Sequence, residues 1–287
     1  MNRSFLRLGV AFVAVLSLPL FLSAQAGRGG DPNMTRGNQL DLAGKTTEAR
    51  AVFQKIHDTS TDAYAKSQAL RAIAMSYAFD GDCANTIKYE DQVIAYWVTR
   101  ESAERQNAFY QEGEMANEGA RVCIDAGQFD IAEEYYRRGT DFGLREPEPR
   151  THPKSLWAFR LTHALARLAA RRGDAAGARK YVAEARRILD SDKTMAEAQE
   201  RFFPYLEGYV ALYSNDLTGA LKQLGAAIAI QANSTDPFLH ALAGMTHEKL
   251  GHAEQAKAEY QKAYDLSTAH NPPAAFARPF ARKKLGL

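Results

Sequence analysis

Two groups of side chains in this 287-residue chain have the chemistry to recognise a ligand. Three arginines fall at seven- and four-residue spacing, which is typical of one helix face: Arg160, Arg167 and Arg171. Tyr205, Tyr209 and Tyr213 repeat every four residues, so a helix would stack them in one strip. Arginine offers planar donors to a carboxylate, and tyrosine gives rigid contact area at low entropic cost. The combination predicts binding of a peptide with an acidic group or free C-terminus beside apolar side chains.

The motifs that would indicate an enzyme are missing from the sequence. It has no Gly-x-Ser-x-Gly elbow, no phosphate-binding glycine loop, no His-Glu-x-x-His and no Cys-x-x-Cys. His240 and His247 lie seven residues apart, but packing against a neighbouring helix explains them better than a metal site does. Acidic residues are scattered over predicted helix surfaces, with no pair set apart as acid and base. We therefore predict a non-enzymatic protein without a metal or other cofactor.

The elements that would position these side chains are clearest between Leu239 and Leu266. Apolar residues recur there at three- and four-residue spacing in two runs, which predicts two amphipathic helices. Gly251, between the runs, supplies the conformational freedom that a helix C-cap needs. The small pair Ala243–Gly244 leaves a gap in the first helix that Tyr260 of the second helix would fill. One such hairpin cannot bury its own apolar face, so it predicts neighbours of the same kind.

The same pattern recurs five times before this stretch, and each copy has its own turn residue. These are Gly44, Gly81, Gly127, Gly173 and Asn215, the last of which tolerates positive φ. Longer connections are predicted at 99–107, 145–153 and 190–198. A small residue in the first helix, a turn glycine and Ala-x3-aromatic in the second helix resemble the tetratricopeptide repeat. The resemblance implies an all-α, right-handed superhelical solenoid of about six hairpins over residues 35–270.

In the tetratricopeptide-repeat family, the exposed face of each first helix lines an inner groove. Applied to this sequence, the resemblance implies a peptide-binding groove formed by Arg71, Asn117, Arg121, Arg160, His163, Arg167, Arg171, Tyr205, Tyr209 and Tyr213. Some family members clamp a peptide's terminal carboxylate with Lys, Asn and Arg from successive repeats, and Asn117, Arg121 and Arg160 match that set in part. The implied function is a protein–protein interaction scaffold that binds a partner segment in the concave groove.

Two alternatives to this groove remain open. In the first alternative, the arginines pair with Asp and Glu on adjacent helices and the tyrosines are partly buried in the core. In the second alternative, the chain binds a glycan or small ligand through the tyrosine strip. The salt dependence of binding separates the two ligand classes. The affinity for a peptide held by arginine falls as ionic strength rises, whereas the affinity for a sugar does not.

The N-terminus has the features of a secretory signal peptide at residues 1–26. Arg3 and Arg7 precede the apolar run 8–22, and Ala24 and Ala26 form a small-residue cleavage site. An uncleaved anchor is the alternative, although the run is shorter than the roughly 20 residues of a membrane span. Cleavage leaves 34 basic against 34 acidic residues, which argues against nucleic acid or an anionic membrane surface as partner. We expect an exported protein, periplasmic or secreted, with no membrane span after cleavage.

The two cysteines are predicted to form a disulfide. Cys83 follows the turn of the second hairpin, and Cys123 lies near the end of the next hairpin's first helix. Stacked hairpins bring these positions to the same end of adjacent units, and export allows the bond to persist. The alternative is two small buried thiols that fill gaps in the core.

Two terminal segments flank the predicted repeats. Residues 27–34 are glycine-rich and polar, which indicates a flexible leader. In residues 271–287, the pair Pro272–Pro273 ends the preceding helix, and Phe276 and Phe280 would dock a short capping helix on the last hairpin. Its basic residues would face water: Arg278, Arg282, Lys283 and Lys284. A basic anchoring tail is the alternative.

Overall fold

The structure, a computed structural model, describes residues 31–287, and that range contains helices but no strand. The α-helices are α1 (Pro32–Leu42), α2 (Thr46–Thr59), α3 (Ala63–Phe79), α4 (Cys83–Val98), α5 (Arg105–Asp125), α6 (Phe129–Leu144), α7 (Lys154–Arg171), α8 (Ala175–Ser191), α9 (Lys193–Gln199), α10 (Phe203–Tyr213), α11 (Leu217–Ala229), α12 (Pro237–Lys249), α13 (Ala253–Leu266) and α14 (Pro272–Leu285). The hairpins, first to sixth, are α1–α2, α3–α4, α5–α6, α7–α8, α10–α11 and α12–α13, and each packs on the next. The fold is therefore the all-α solenoid that the sequence predicts.

Each hairpin turns at the residue that the sequence singles out. The five turn glycines and Asn215 all have positive φ, with Gly251 at +76° and Asn215 at +63°. Asparagine is among the few residues that adopt this left-handed conformation without a large cost. The prediction that Asn215 replaces the turn glycine is confirmed.

Within the hairpins, glycines of the first helix lie directly under large side chains of the second. A Cβ atom added to Gly244 would lie 2.5 Å from a ring carbon of Tyr260, so the predicted gap and its filler are confirmed. Gly37 is covered by Phe53 in the same way. At the junction of the third and fourth hairpins, the fully buried Trp157 packs on Gly143. These contacts set how closely adjacent helices approach, because any larger residue would push them apart.

The extra residues between hairpins form additional structure where longer connections are predicted. The connection predicted at 190–198 contains all but the last residue of α9, which a 3₁₀ helix at Glu200–Phe202 joins to α10. In the connection at 145–153, Arg150 donates to the carbonyl oxygens of Gly143 and Glu146, both at 2.6 Å. The loop is thereby fixed to the end of α6.

The N-terminal boundary differs slightly from the prediction. The helix α1 begins at Pro32, three residues before the expected start of the repeats at Thr35, because Pro32 suits a helix's first turn. The predicted signal peptide at 1–26 and residues 27–30 of the predicted leader lie outside the described residues. Within residues 31–287, no helix has the length and apolar character that crossing a membrane requires.

A disulfide joins the second hairpin to the third. Cys83 is the first residue of α4 and Cys123 lies near the end of α5, with their Cα atoms 4.7 Å apart. Both side chains are buried among apolar residues that include Ile124 and Ala120. The bond therefore ties two adjacent repeats together through the core.

The C-terminal helix α14 packs on the last hairpin and on the inner side of the first three. On the last hairpin, Phe276 lies 5.0 Å from the ring of Phe238, and Phe280 lies 5.7 Å from the ring of Tyr260. On the opposite side, Ala274 and Ala275 contact a cluster that comprises Leu42, Met75, Ala78, Phe79 and Val122. The helix is thus a cap, as predicted, and also joins the two ends of the solenoid.

The prediction that every basic residue of this helix faces water is wrong for Arg278. Its guanidinium donates to the carbonyl oxygens of Tyr264 and Ser267 at 3.1 Å each, and to that of Leu42 in the first hairpin. It also stacks on the ring of Tyr264 at 4.3 Å. The reason is that the solenoid winds far enough to bring the first hairpin beside α14.

Candidate ligand cavity

A cavity of about 320 Å³ lies on the inner side of the solenoid, between α5, α7 and α10. Predicted groove residues that line it are Asn117, Arg121, Arg160, His163, Arg167 and Tyr205. The remaining lining residues are Glu114, Glu118, Tyr136, Phe159, Gln199, Phe202, Pro272 and Pro273. The structure therefore brings six of the ten predicted residues to one site, while Arg71, Arg171, Tyr209 and Tyr213 lie outside the lining.

Two arginines beside this cavity are already paired with carboxylates. Arg71 donates to both oxygens of Glu118, with Nε 3.0 Å from Oε2. Arg160 pairs with Glu114, whose pKa burial raises above its ordinary value. For Arg71 and Arg160 the structure thus supports the alternative prediction, pairing between adjacent helices. Within each pair the two charges neutralise one another. The positive charge of the cavity therefore comes from the other arginines.

Arg167 lies at the base of the cavity and contacts tyrosines instead of a carboxylate. It is only 6% exposed, and it donates to the hydroxyl oxygens of Tyr136 at 2.9 Å and Tyr205 at 3.2 Å. Its Nε has no hydrogen-bond partner within the described residues. A buried N–H without an acceptor costs about 1–3 kcal/mol, and within residues 31–287 no carboxylate accepts a hydrogen bond from this guanidinium.

Arg121 faces the same cavity from α5. Its guanidinium carbon lies 4.6 Å from the ring centre of Phe238 in the sixth hairpin, a contact across the inside of the solenoid. Within residues 31–287, its Nε is buried and without an acceptor. A stacked guanidinium keeps its edge free for hydrogen bonds in the ring plane, which is the geometry of carboxylate recognition.

His163 adds a third buried nitrogen to the site. The residue is 8% exposed, its ring lies 5.3 Å from that of Tyr205, and its Nε2 lacks a hydrogen-bond partner in the described part of the chain. Burial, together with the charge of Arg167, lowers the pKa of His163 well below its usual value. The imidazole is therefore neutral near pH 7, and its Nε2 is a donor or an acceptor according to the tautomer.

The tyrosine strip exists, but the prediction that it lies exposed in a groove is wrong. Tyr209 is fully buried and Tyr205 is 9% exposed. The rings do follow one another, at 6.0 Å from Tyr205 to Tyr209 and 4.7 Å from Tyr209 to Tyr213. The strip is covered because α12 packs across it, with Phe238 only 6.0 Å from Tyr205. The exposed placement of His163 and Arg167 is wrong for the same reason, close winding of the solenoid.

Arg171 does not line the cavity, although it is one of the predicted groove residues. It donates to the hydroxyl of Tyr209 at 3.2 Å and lies 4.8 Å from the ring centre of Tyr213. Through these contacts, Arg171 covers one edge of the tyrosine strip. Arg171 adds positive charge near the cavity, although it does not line it.

Several lining residues are not among the predicted site residues. Tyr136 belongs to a second helix, where the repeat pattern indicates core packing, and Pro272 and Pro273 indicate a helix stop. Gln199 comes from the insertion between the fourth and fifth hairpins. No local signal in the sequence marks these residues, because each reaches the cavity only through the winding of the whole chain.

Asp125, the last residue of α5, does not line the cavity, but its charge interacts with those of Arg121, Arg167 and Arg171. Burial raises the pKa of its carboxyl to about 6, against the lowering effect of Arg121, Arg167 and Arg171. Near neutral pH it is mostly ionised and repels a second anion. Below about pH 6 it is mostly protonated, and its three arginines are then free to favour a ligand carboxylate.

We accordingly expect binding of a small carboxylate to strengthen roughly three- to tenfold as the pH falls from about 7.5 to about 5.5. Titration of the protein with N-acetyl-phenylalanine at several pH values measures this change. In Asp125→Asn, affinity near pH 7.5 should match that of the unaltered protein at low pH, with little further dependence. Equal pH profiles for the two proteins would contradict the role given to Asp125.

A scan of protein-family models finds no family that matches this chain, and a search of curated proteins finds no matching relative. Among residues 31–287, no group of three or more His, Cys, Asp and Glu side chains is placed to hold a metal ion.

Proposed function

We propose that this chain is an exported, non-enzymatic binding protein of the tetratricopeptide-repeat type, which recognises the carboxylate end of a partner protein segment in its inner cavity. One observation carries the proposal: Arg121 and Arg167 line one cavity, and the Nε of each has no acceptor within residues 31–287. A carboxylate supplies the acceptors that these groups lack. The turn residues and the glycine–aromatic contacts of the hairpins support the repeat type.

The walls of the cavity favour an apolar residue next to the carboxylate. Phe159, Phe202, Pro272 and Pro273 line it beside the arginines. Because α14 covers the inner face of the second and third hairpins at Met75 and Val122, a long peptide has no continuous groove there. The proposal is therefore recognition of a chain end, not of a segment that runs the length of the solenoid.

A matched pair of probes tests this function. N-acetyl-phenylalanine, which mimics a C-terminal residue, should bind, and its amide, which lacks the charge, should bind at least about tenfold more weakly. Arg121→Gln and Arg167→Gln should each weaken the acid roughly 10- to 100-fold, since each removes a charged donor. Isothermal titration measures these affinities.

The control for these variants is Arg179→Gln, an exposed arginine of α8 away from the cavity. It removes the same charge and should leave binding unchanged. Circular dichroism shows whether each variant keeps its helices. If the acid and the amide bind equally well, or if Arg121→Gln behaves like the control, the proposed recognition of a carboxylate is wrong.

A free small carboxylate is the second candidate, because a volume of about 320 Å³ suits a small molecule as well as a chain end. The burial of Tyr205 and Tyr209 argues against a sugar, which would need an exposed ring to stack on. Peptide length separates the two sources. Octapeptides with free C-termini should bind more tightly than N-acetyl-phenylalanine if the ligand is a partner's end, and no more tightly if it is a small molecule.

A further inference from the structure

The helix α14 is in contact with both the first and the last hairpin, and the two contacts differ in kind. Towards the last hairpin it packs Phe276 and Phe280, which join the apolar cluster of α12 and α13. Towards the first three hairpins it presents the small side chains of Ala274 and Ala275. A buried aromatic ring covers about 150–250 Å², several times the area of an alanine methyl group. The contact with the last hairpin is therefore the stronger of the two.

Polar contacts complete the weaker side. Arg278 donates to the carbonyl oxygen of Leu42 on this side, as well as to those of Tyr264 and Ser267 on the other, and Arg282 donates to that of Ala43 at 3.2 Å. His270, just before the helix, lies 2.7 Å from a carboxylate oxygen of the buried Asp41. Hydrogen bonds with a charged partner contribute about 1.5–3 kcal/mol each, so the loss of one should measurably weaken this side.

The His270 ring is also held by aromatic neighbours of the first two hairpins. Its centre lies 5.6 Å from the rings of both Phe53 and Phe79, and it is stacked on the latter. Asp41 additionally accepts a hydrogen bond from Ser76 at 2.7 Å, so its carboxylate stays partnered if His270 leaves. The seat for the start of α14 is therefore preformed by the first two hairpins.

The same end of the helix forms part of the ligand cavity, since Pro272 and Pro273 line it. In a solenoid each repeat packs mainly on its neighbours, so separating the two ends breaks few contacts besides those of α14. We propose that α14 is a strap that closes the solenoid over the cavity, and that ligand binding and docking of the strap stabilise each other. This inference rests on the proposed function for its ligand and on α14's contacts for its mechanism.

Coupling between two equilibria is reciprocal, which makes the inference quantitative. If a ligand favours the docked strap by some factor, a variant with a weakened strap must bind that ligand more weakly, by at most the same factor. The weakened strap should also release at its contacts with the first hairpin while remaining on the last.

Hydrogen exchange of the whole chain tests the strap without any ligand. In Arg278→Gln, amides at 41–45 and 270–277 should exchange at least about tenfold faster than in the unaltered protein, because charged donors to buried carbonyls are lost. Lys283→Gln is the matched control, since Lys283 lies exposed on the same helix. Exchange in α7 and α8 should be unchanged in both variants, which shows that the fold is intact.

The second arm adds N-acetyl-phenylalanine at saturating concentration. It should slow exchange at 270–277 in the unaltered protein, and Arg278→Gln should bind it several-fold more weakly than Lys283→Gln does. His270→Gln should reproduce both effects, which guards against an unrelated defect in one variant.

Each result has a definite meaning. Equal exchange in Arg278→Gln and Lys283→Gln overturns the strap, whether or not the probe binds. Binding of the probe with no protection at 270–277 overturns the coupling. Faster exchange in Arg278→Gln, with no binding of the probe to any of these proteins, contradicts the proposed function and the coupling but leaves the strap itself supported.

Discussion

Replacing Cys83 and Cys123 together by alanine is expected to lower the free energy of unfolding by about 3–4 kcal/mol. The disulfide closes a loop with a sequence separation of 40 residues, and its loss returns that conformational freedom to the unfolded chain. The two sulfurs lie in the core between the second and third hairpins, so their loss also removes packing contacts. Denaturant titration of the variant against the oxidised protein measures the difference.

Reduction provides the matched control for this prediction. A reducing agent should destabilise the unaltered protein by a similar amount and should have no effect on the double variant. If the double variant is as stable as the oxidised protein, the bond contributes nothing to the folded state. If a reducing agent leaves the stability of the unaltered protein unchanged in the denaturant titration, the two thiols are not joined in solution.

Replacing Glu112 by glutamine is expected to stabilise the protein by up to about 3 kcal/mol above about pH 8, and far less near pH 4.5. Glu112 is fully buried, and neither carboxylate oxygen has a hydrogen-bond partner within residues 31–287. Burial, assisted by the nearby charge of Glu101, raises the pKa of Glu112 to about 7. A buried carboxylate that must ionise opposes folding.

The pH dependence of the stability follows from the difference in proton affinity of Glu112 between the folded and unfolded states. The folded state holds the proton more tightly than the unfolded state, so this contribution to stability is complete below the ordinary pKa of about 4.5 and is lost as the pH rises through about 7. Glutamine cannot ionise, which removes the loss. Denaturant titrations across this pH range, with the exposed Glu254→Gln as control, measure it. A stability difference between Glu112→Gln and the unaltered protein that does not change with pH would refute the prediction.

The strongest sequence signals in this chain are local ones, and the structure agrees with them. Gly251 and Asn215 mark turns through a backbone conformation that few residues adopt, and that preference does not depend on distant parts of the chain. Gly244 and Tyr260 pair within a single hairpin, which fixes their distance once the two helices form. The neighbourhood of Cys83 and Cys123 follows from stacking of adjacent units, the next level of organisation.

Burial on the inner face is not a local property, and there the sequence misleads. Arg167, Tyr205 and Tyr209 occupy the helix face that resembles a groove lining, yet the sixth hairpin covers them. Whether that face is open depends on small rotations between successive hairpins, which accumulate along the solenoid. The spacing of residues in one helix carries no information about the accumulated rotation between hairpins.

The amino-acid sequence by itself determined an all-α chain of six hairpins, their turn residues and the positions of arginines and tyrosines on the first helices. Only the tertiary structure decided which of these side chains meet. It gathers Arg121, Arg167 and His163 around one cavity, buries the tyrosine strip, and brings Arg278 to Leu42 across 236 residues of chain. Hairpin formation is governed by contacts between residues close in sequence, whereas the cavity and the contacts of α14 with the first hairpin arise from closure between the two ends of the solenoid.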